Sequence, residues 1–193
     1  YRMNPYCDWS PDINELERKV KSHMAIVGIL VINPDNPTGY VYPEETLLRI
    51  VEIARNYDLF LVFDETYHQI VLNGKKTVSL SDIIGDVPGI CMKGISKEFP
   101  WPGARCGWME IYNADKDETF ARYIDAILTQ KMSEVCSTTL PQMAIPRIMA
   151  HPEYRPYLDE RIRHYEKLSN IAYQILKDLP YVMVNRTCGA FYM

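Results

Sequence analysis

Residues 26–64 read IVGILVINPDNPTGYVYPEETLLRIVEIARNYDLFLVFD, and this stretch decides the fold. Ile26 to Ile32 is a continuous apolar run, which suits a strand buried on both faces of a parallel sheet. It stops at Asn33-Pro34-Asp35-Asn36-Pro37-Thr38-Gly39, a segment that cannot be regular structure. Two prolines remove backbone donors, and Gly39 admits dihedrals closed to other residues. Pro43 then opens a helix at the position where its missing N–H costs nothing. Glu44 and Glu45 fall in the first turn, where the helix dipole favours them, and Leu47, Ile50, Val51 and Ala54 form an apolar stripe. Leu59 to Phe63 is a second apolar strand and runs straight into Asp64. The order strand, helix, strand is a βαβ unit, so the two strands are parallel.

Outward from this unit the pattern continues in both directions. Asp12 to Ser22 predicts a short amphipathic helix with Ile13, Leu16 and Val20 on one face, preceded by an irregular lead-in over 1–11. Downstream, Gly89 to Ile95 and Cys106 to Ile111 read as strands, and Asp115 to Lys131 and Leu140 to Ala150 as helices. Pro152 to Leu179 is a long helical pattern that suits a helix bridging two domains. Tyr181 to Val184 and Ala190 to Met193 read as new strands. The expected fold is α/β. A mostly parallel sheet with flanking helices occupies 1–150; the bridging helix and the beginning of a small α+β domain occupy 151–193. A chain that stops on apolar strand residues, with no turn or polar tail, is the pattern expected of an internal piece of a longer protein.

Composition narrows the function classes. Of 193 residues, 47% are hydrophobic and 24% charged, ordinary for a globular domain with a sizeable core. The net charge is -4 and the basic residues are scattered, which argues against nucleic acid or an anionic membrane as partner. No apolar run approaches the roughly 20 residues of a membrane span. The five cysteines are odd in number and form no C-x-x-C pair, a usage that fits reduced thiols in the cytoplasm. Four dispersed histidines offer no zinc site.

Four places along the chain put reactive groups at strand ends. Asp64 lies at the carboxyl end of a buried parallel strand, where open α/β sheets bind ligands, although a cap would look the same. Tyr67 follows three residues later and alone reads equally well as packing. Lys97, after Gly94-Ile95-Ser96, also falls past a strand end; there a lysine forms a Schiff base if its surroundings favour the neutral amine, and otherwise is a solvated loop residue. Arg105, between Gly103 and Gly107, has small neighbours that would let its fork reach a phosphate, or is a surface ion pair. With Asn36 after the first strand, the set is an acid, a phenol, an amide, a lysine and an arginine. If the strand ends share one sheet edge, the set matches a phosphorylated aromatic aldehyde with a ring nitrogen.

Taken in order, Asn33 to Gly39 (NPDNPTG), Asp64-Glu65-Thr66-Tyr67, Gly94-Ile95-Ser96-Lys97 and Gly103-Ala104-Arg105-Cys106-Gly107-Trp108 resemble the class I/II aminotransferases of pyridoxal-phosphate (PLP) fold type I. The resemblance extends to Ser137–Gln142 and to Gly189-Ala190-Phe191-Tyr192, and the run from Asn36 to Glu65 looks most like the alanine and broad-specificity members. It implies an enzyme that moves an amino group between an amino acid and a 2-oxo acid. Lys97 would hold PLP as the internal aldimine and then serve as the proton-transfer base. Asp64 would pair with the pyridine nitrogen, Tyr67 and Asn36 would bond the ring's 3-oxygen, and Arg105 would bind the phosphate. Asn36 would also reach the substrate carboxylate. The resemblance further implies a cytoplasmic homodimer about twice this length. The phosphate-cradling loop and the ring-stacking aromatic would precede Tyr1, and the carboxylate-binding arginine would follow Met193. Gly94 departs from the serine usual in the family, and Pro100, Trp101 and Cys106 stand where smaller or aliphatic residues are usual. The same residues would serve a carbon–sulfur lyase or an aminocyclopropane-carboxylate-synthase-like enzyme. An aminotransferase-like regulator domain that binds PLP without turnover is the third reading.

Overall fold

The computed structural model describes residues 1–193. Its centre is a four-stranded sheet of β3 (Gly28–Ile32), β4 (Phe60–Asp64), β5 (Gly89–Gly94) and β6 (Gly107–Tyr112), in that spatial order. The β3–β4 and β4–β5 pairs are parallel and β5–β6 is antiparallel. Ile32 pairs with Asp64 and Asp64 with Met92, while Gly94 pairs with Gly107. Because β6 runs the other way, its beginning lies at the same edge as the end of β5. The loop after β3, the loop after β4 and both ends of the β5–β6 connection therefore share one edge.

The crossover α2 (Glu44–Asn56) follows Pro43, with both glutamates in its first turn as the dipole favours. It buries Leu47, Ile50, Val51, Ile53 and Ala54 against Ile29, Val31, Leu61, Phe63 and Cys91. Helix α1 (Ile13–Ser22), capped by the Asp12 carboxylate on the Glu15 N–H, adds Leu16 and Val20 to this core. The short α3 (Leu80–Ile83) adds Leu80 and Ile83. The opposite face carries α4 (Glu118–Lys131), whose Phe120 and Ile124 pack on Ile90, Phe60 and Met92. Helix α5 (Thr139–Met149) and the 23-residue α6 (Tyr154–Leu176) follow. No helix is long and apolar enough to cross a membrane.

Three expectations are corrected. The lead-in is not irregular: β1 (Met3–Asn4) and β2 (Ser10–Pro11) pair antiparallel around a 3-10 turn at Pro5–Cys7, with the Asn4 side chain capping Tyr6. The β3 run is not buried on both faces. Ile29 and Val31 are buried while Leu30 is 54% exposed, because α4 covers only the middle of that face. The segments 181–184 and 190–193 form no strands. A strand needs a backbone partner, and this segment spends its groups on loops instead. Cys188 and Gly189 donate to the Gly39 carbonyl, Ala190 donates to Ile70, and Leu72 donates to Cys188. Only a single antiparallel bridge, Val71 to Gly189, results.

Candidate active site

At the shared edge, β5 gives way at Gly94 to a turn that carries Lys97. Buried Ile95 anchors the turn: its N–H donates to Cys106 and its carbonyl accepts from Trp101. The Lys97 Nζ then lies 5.6 Å from the Tyr67 ring centroid and 5.4 Å from that of Phe191, inside the range of a cation–π attraction. Tyr67 is buried and meets the rings of Phe191 and Tyr192 edge-on, at 5.3 and 5.7 Å. Its hydroxyl is hydrogen-bonded to the Tyr192 hydroxyl. Burial raises the Tyr192 phenol above its ordinary pKa and the bond to Tyr67 adds to this, while the Lys97 charge opposes it.

The aromatic wall reaches this place by a close fit. A Cβ on Gly189 would stand 2.6 Å from the Pro34 side chain and 2.7 Å from that of Val41, so only glycine lets the 187–192 segment lie on the loop after β3. Gly39, at φ +69°, turns that loop under the same segment. Asp64 closes β4 three residues before Tyr67. One of its oxygens accepts from the Thr66 N–H at 3.0 Å and from the Thr66 hydroxyl at 2.6 Å; the other has no partner in the chain. Asn36 is exposed on the loop after β3. Arg105 is exposed at the start of β6, in the left-handed region at φ +49°, with one donor on the Pro102 carbonyl at 3.1 Å. The structure thus brings Lys97 and Tyr67 together and sets Asp64 beside Tyr67 in the chain. Asn36 and Arg105 sit on exposed loops of the same edge and hydrogen-bond to neither Lys97 nor Tyr67.

Several residues around this edge were not singled out from sequence. The Glu65 side chain is fully buried and accepts from the Ser79 hydroxyl and the Leu80 N–H, which caps α3. Lys93, on the sheet face opposite Asp64, lies 2.9 Å from Glu110 and 3.6 Å from Glu65. Burial alone would lower its pKa, yet the two carboxylates hold it above the ordinary lysine value. Burial holds the His68 imidazole below its ordinary value despite Glu65 at 3.7 Å. Glu98 directly follows Lys97 and accepts from the Gln69 N–H; burial pushes its carboxyl up to about 7 against that bond and the Lys93 charge. Arg161 of α6 bonds the carbonyls of Lys97 and Glu98. Glu65 and Tyr192 stood inside the motifs already quoted, so position was available as a signal; for Arg161 the sequence offered none beyond its place in a helical pattern.

The sequence model of the family "Aminotransferase class I and II" matches residues 1–193. An uncharacterized aminotransferase of Methanocaldococcus jannaschii is 60% identical over 193 residues, all of this chain and 45% of the relative. The glutamate-pyruvate aminotransferase AlaA of Escherichia coli K12 is 31% identical over 194 residues, all of this chain and 47% of the relative. Among solved structures, an alanine aminotransferase from Pyrococcus furiosus superposes with a TM-score of 0.87 at 29% identity, covering 98% of this chain and 47% of that one. The chain spans about half the length of the curated relatives it matches.

Proposed function

The chain belongs to the class I and II aminotransferase family, and on that premise we propose that the protein containing it transfers an amino group between an amino acid and a 2-oxo acid, with pyridoxal 5′-phosphate as cofactor and Lys97 as the residue that carries it. The single observation behind this reading is the Lys97 amine, held between the Tyr67 and Phe191 rings at the sheet edge while the other lysine of the region, Lys93, is tied to carboxylates.

The donor set suits the cofactor. Asp64 has one oxygen fixed by Thr66 and one free, as a partner for a protonated pyridine nitrogen requires. Tyr67 can accept from Tyr192 and keep its own proton for the ring's 3-oxygen, which Asn36 also serves. Arg105 has unspent donors for a phosphate. When bound, the cofactor supplies an electron sink for charge at the substrate α-carbon. The chain's own residues do the rest. Asp64 would keep the ring nitrogen protonated, and Lys97 would be the base that takes the proton from the substrate α-carbon and delivers it to the cofactor's C4′. Asn36 also meets the substrate carboxylate. The whole protein acts as a homodimer in the cytoplasm. Residues 1–150 form the second half of the cofactor domain, and 151–193 the bridging helix and the beginning of a smaller domain.

Borohydride reduction of the full-length protein with PLP should leave a phosphopyridoxyl adduct on the peptide containing Lys97 and none on Lys93. Lys97→Ala should abolish transamination and leave the far-ultraviolet circular dichroism unchanged, since the residue acts chemically. An adduct mapped elsewhere, or near-normal turnover in Lys97→Ala, would remove the assignment.

A further inference from the structure

Lys97 and Glu98 lie where the chain leaves β5, so their carbonyls have no neighbouring strand to accept from. Neither accepts a backbone N–H. Both are satisfied by one side chain from a distant helix: the Arg161 Nη1 donates to the Glu98 carbonyl at 2.6 Å, and Nη2 donates to the Lys97 carbonyl at 3.2 Å. Nη2 also donates to the Tyr165 hydroxyl at 2.7 Å. The guanidinium lies 5.6 Å from the Tyr157 ring centroid and 5.4 Å from that of Tyr165. Residues 157, 161 and 165 are spaced by four and share one face of α6, so the fork is held between two rings before it meets the turn.

We propose that Arg161 is a positioning residue that aims the Lys97 side chain. The proposal rests on the reading of Lys97 given above. A single donor would leave the peptide planes of the turn free to swing. A rigid planar fork on two consecutive carbonyls holds the peptide plane that follows the Lys97 Cα and locks it against the next plane, so one of the two planes flanking that Cα is fixed and its long, flexible stem has less room to change direction. The far end of that stem is confined only loosely, by the faces of Tyr67 and Phe191. Proton transfer needs reacting atoms within about 3–3.5 Å, so the root of the side chain must be set before its tip can be useful. Because Arg161 belongs to α6, that helix and the reach of Lys97 are mechanically one unit.

A merely structural arginine would fasten α6 to the turn without influencing what the amine does. The full-length protein loaded with PLP separates the two roles through Arg161→Met, which keeps the apolar stem, and Arg161→Lys, which keeps the charge and offers a single donor. Borohydride mapping of the unsubstituted protein to Lys97 is the control for the underlying reading; if that adduct is missing, the reading fails and the proposal falls with it. Given the adduct, Arg161→Met should retain PLP and circular dichroism, while the half-reaction with an amino acid slows by on the order of ten- to a hundredfold. That rate should show an α-deuterium isotope effect at least as large as in the unsubstituted protein. The pH midpoint of the bound cofactor's visible absorbance should move, because it reports the amine's surroundings rather than the fold. Arg161→Lys should recover part of each change. An unsubstituted rate and an unmoved midpoint in Arg161→Met, whatever its melting temperature, would overturn the proposal. If Arg161→Met does not fold, Arg161→Lys is read alone, and the same two unchanged values in it overturn the proposal equally.

Discussion

At the scale of single residues, the edge is crowded with groups whose charge depends on their surroundings, and Glu98 is the most exposed to test. Burial pushes its carboxyl up to about 7, against an ordinary value of 4.5. A carboxyl raised on folding gives stability that is fully present below the unfolded pKa and is lost as pH rises through the folded one. Between about pH 4.5 and 7 the unfolded chain therefore sheds this proton first, and the protein should lose stability across that window. Glu98→Gln removes the titration and keeps an acceptor for the Gln69 N–H. Its urea midpoint should fall less between pH 5 and pH 7.5 than that of the unsubstituted protein, by a difference well outside error. Equal slopes would mean that Glu98 titrates normally. From sequence alone this residue was one acid in a polar turn. Its desolvation comes from packing that no local pattern records. The same holds for the hydroxyl pair of Tyr67 and Tyr192, which are separated by 125 positions.

Among the elements, what was legible and what was not divides along one line: local patterns were readable and distant partners were not. The positions of β3 and β4, the start of α2 after Pro43 with its two first-turn glutamates and the long α6 follow from residues inside each element. The four-residue α3 escaped because its N-terminus is satisfied by Glu65, fifteen positions earlier. The segments 181–184 and 190–193 looked like strands because an apolar run records a wish to be buried rather than the presence of a partner. Glu65 is accordingly a linchpin between the end of β4, α3 and Lys93. Glu65→Ala leaves Ser79, the Leu80 N–H and part of the Lys93 charge without a partner in a buried place, and should cost about 3–5 kcal/mol in denaturant unfolding. Glu65→Gln keeps acceptors for α3 and should cost clearly less. Equal losses would show that charge, and not the cap, is what matters there.

For the molecule as a whole, β3 and β6 are the two edges of the sheet, and the face served by α4 is only partly covered. Leu30 at 54%, Met109 at 41% and Ile111 at 37% exposure all lie on that face. Open strand edges flanked by apolar side chains invite pairing with other chains. The 193-residue chain expressed alone should associate, as light scattering would show, and Leu30→Lys with Met109→Lys should reduce the apparent mass. A monodisperse monomer of the unsubstituted chain would count against this. The expectation of a strand buried on both faces missed this feature, since a continuous apolar run does not say which neighbour covers it.

The pairing of Lys93 with Glu110 and Glu65 has a consequence for selectivity between amines. Two lysines stand four positions apart, Lys93 near the end of β5 and Lys97 in the turn that follows it. An amine attacks a carbonyl only through its lone pair, and a protonated amine has none to offer. By keeping the proton on Lys93, the two glutamates act as a built-in protecting group, of the kind a chemist installs to silence one of two nucleophiles. An aldehyde arriving at this region therefore finds the Lys93 lone pair occupied.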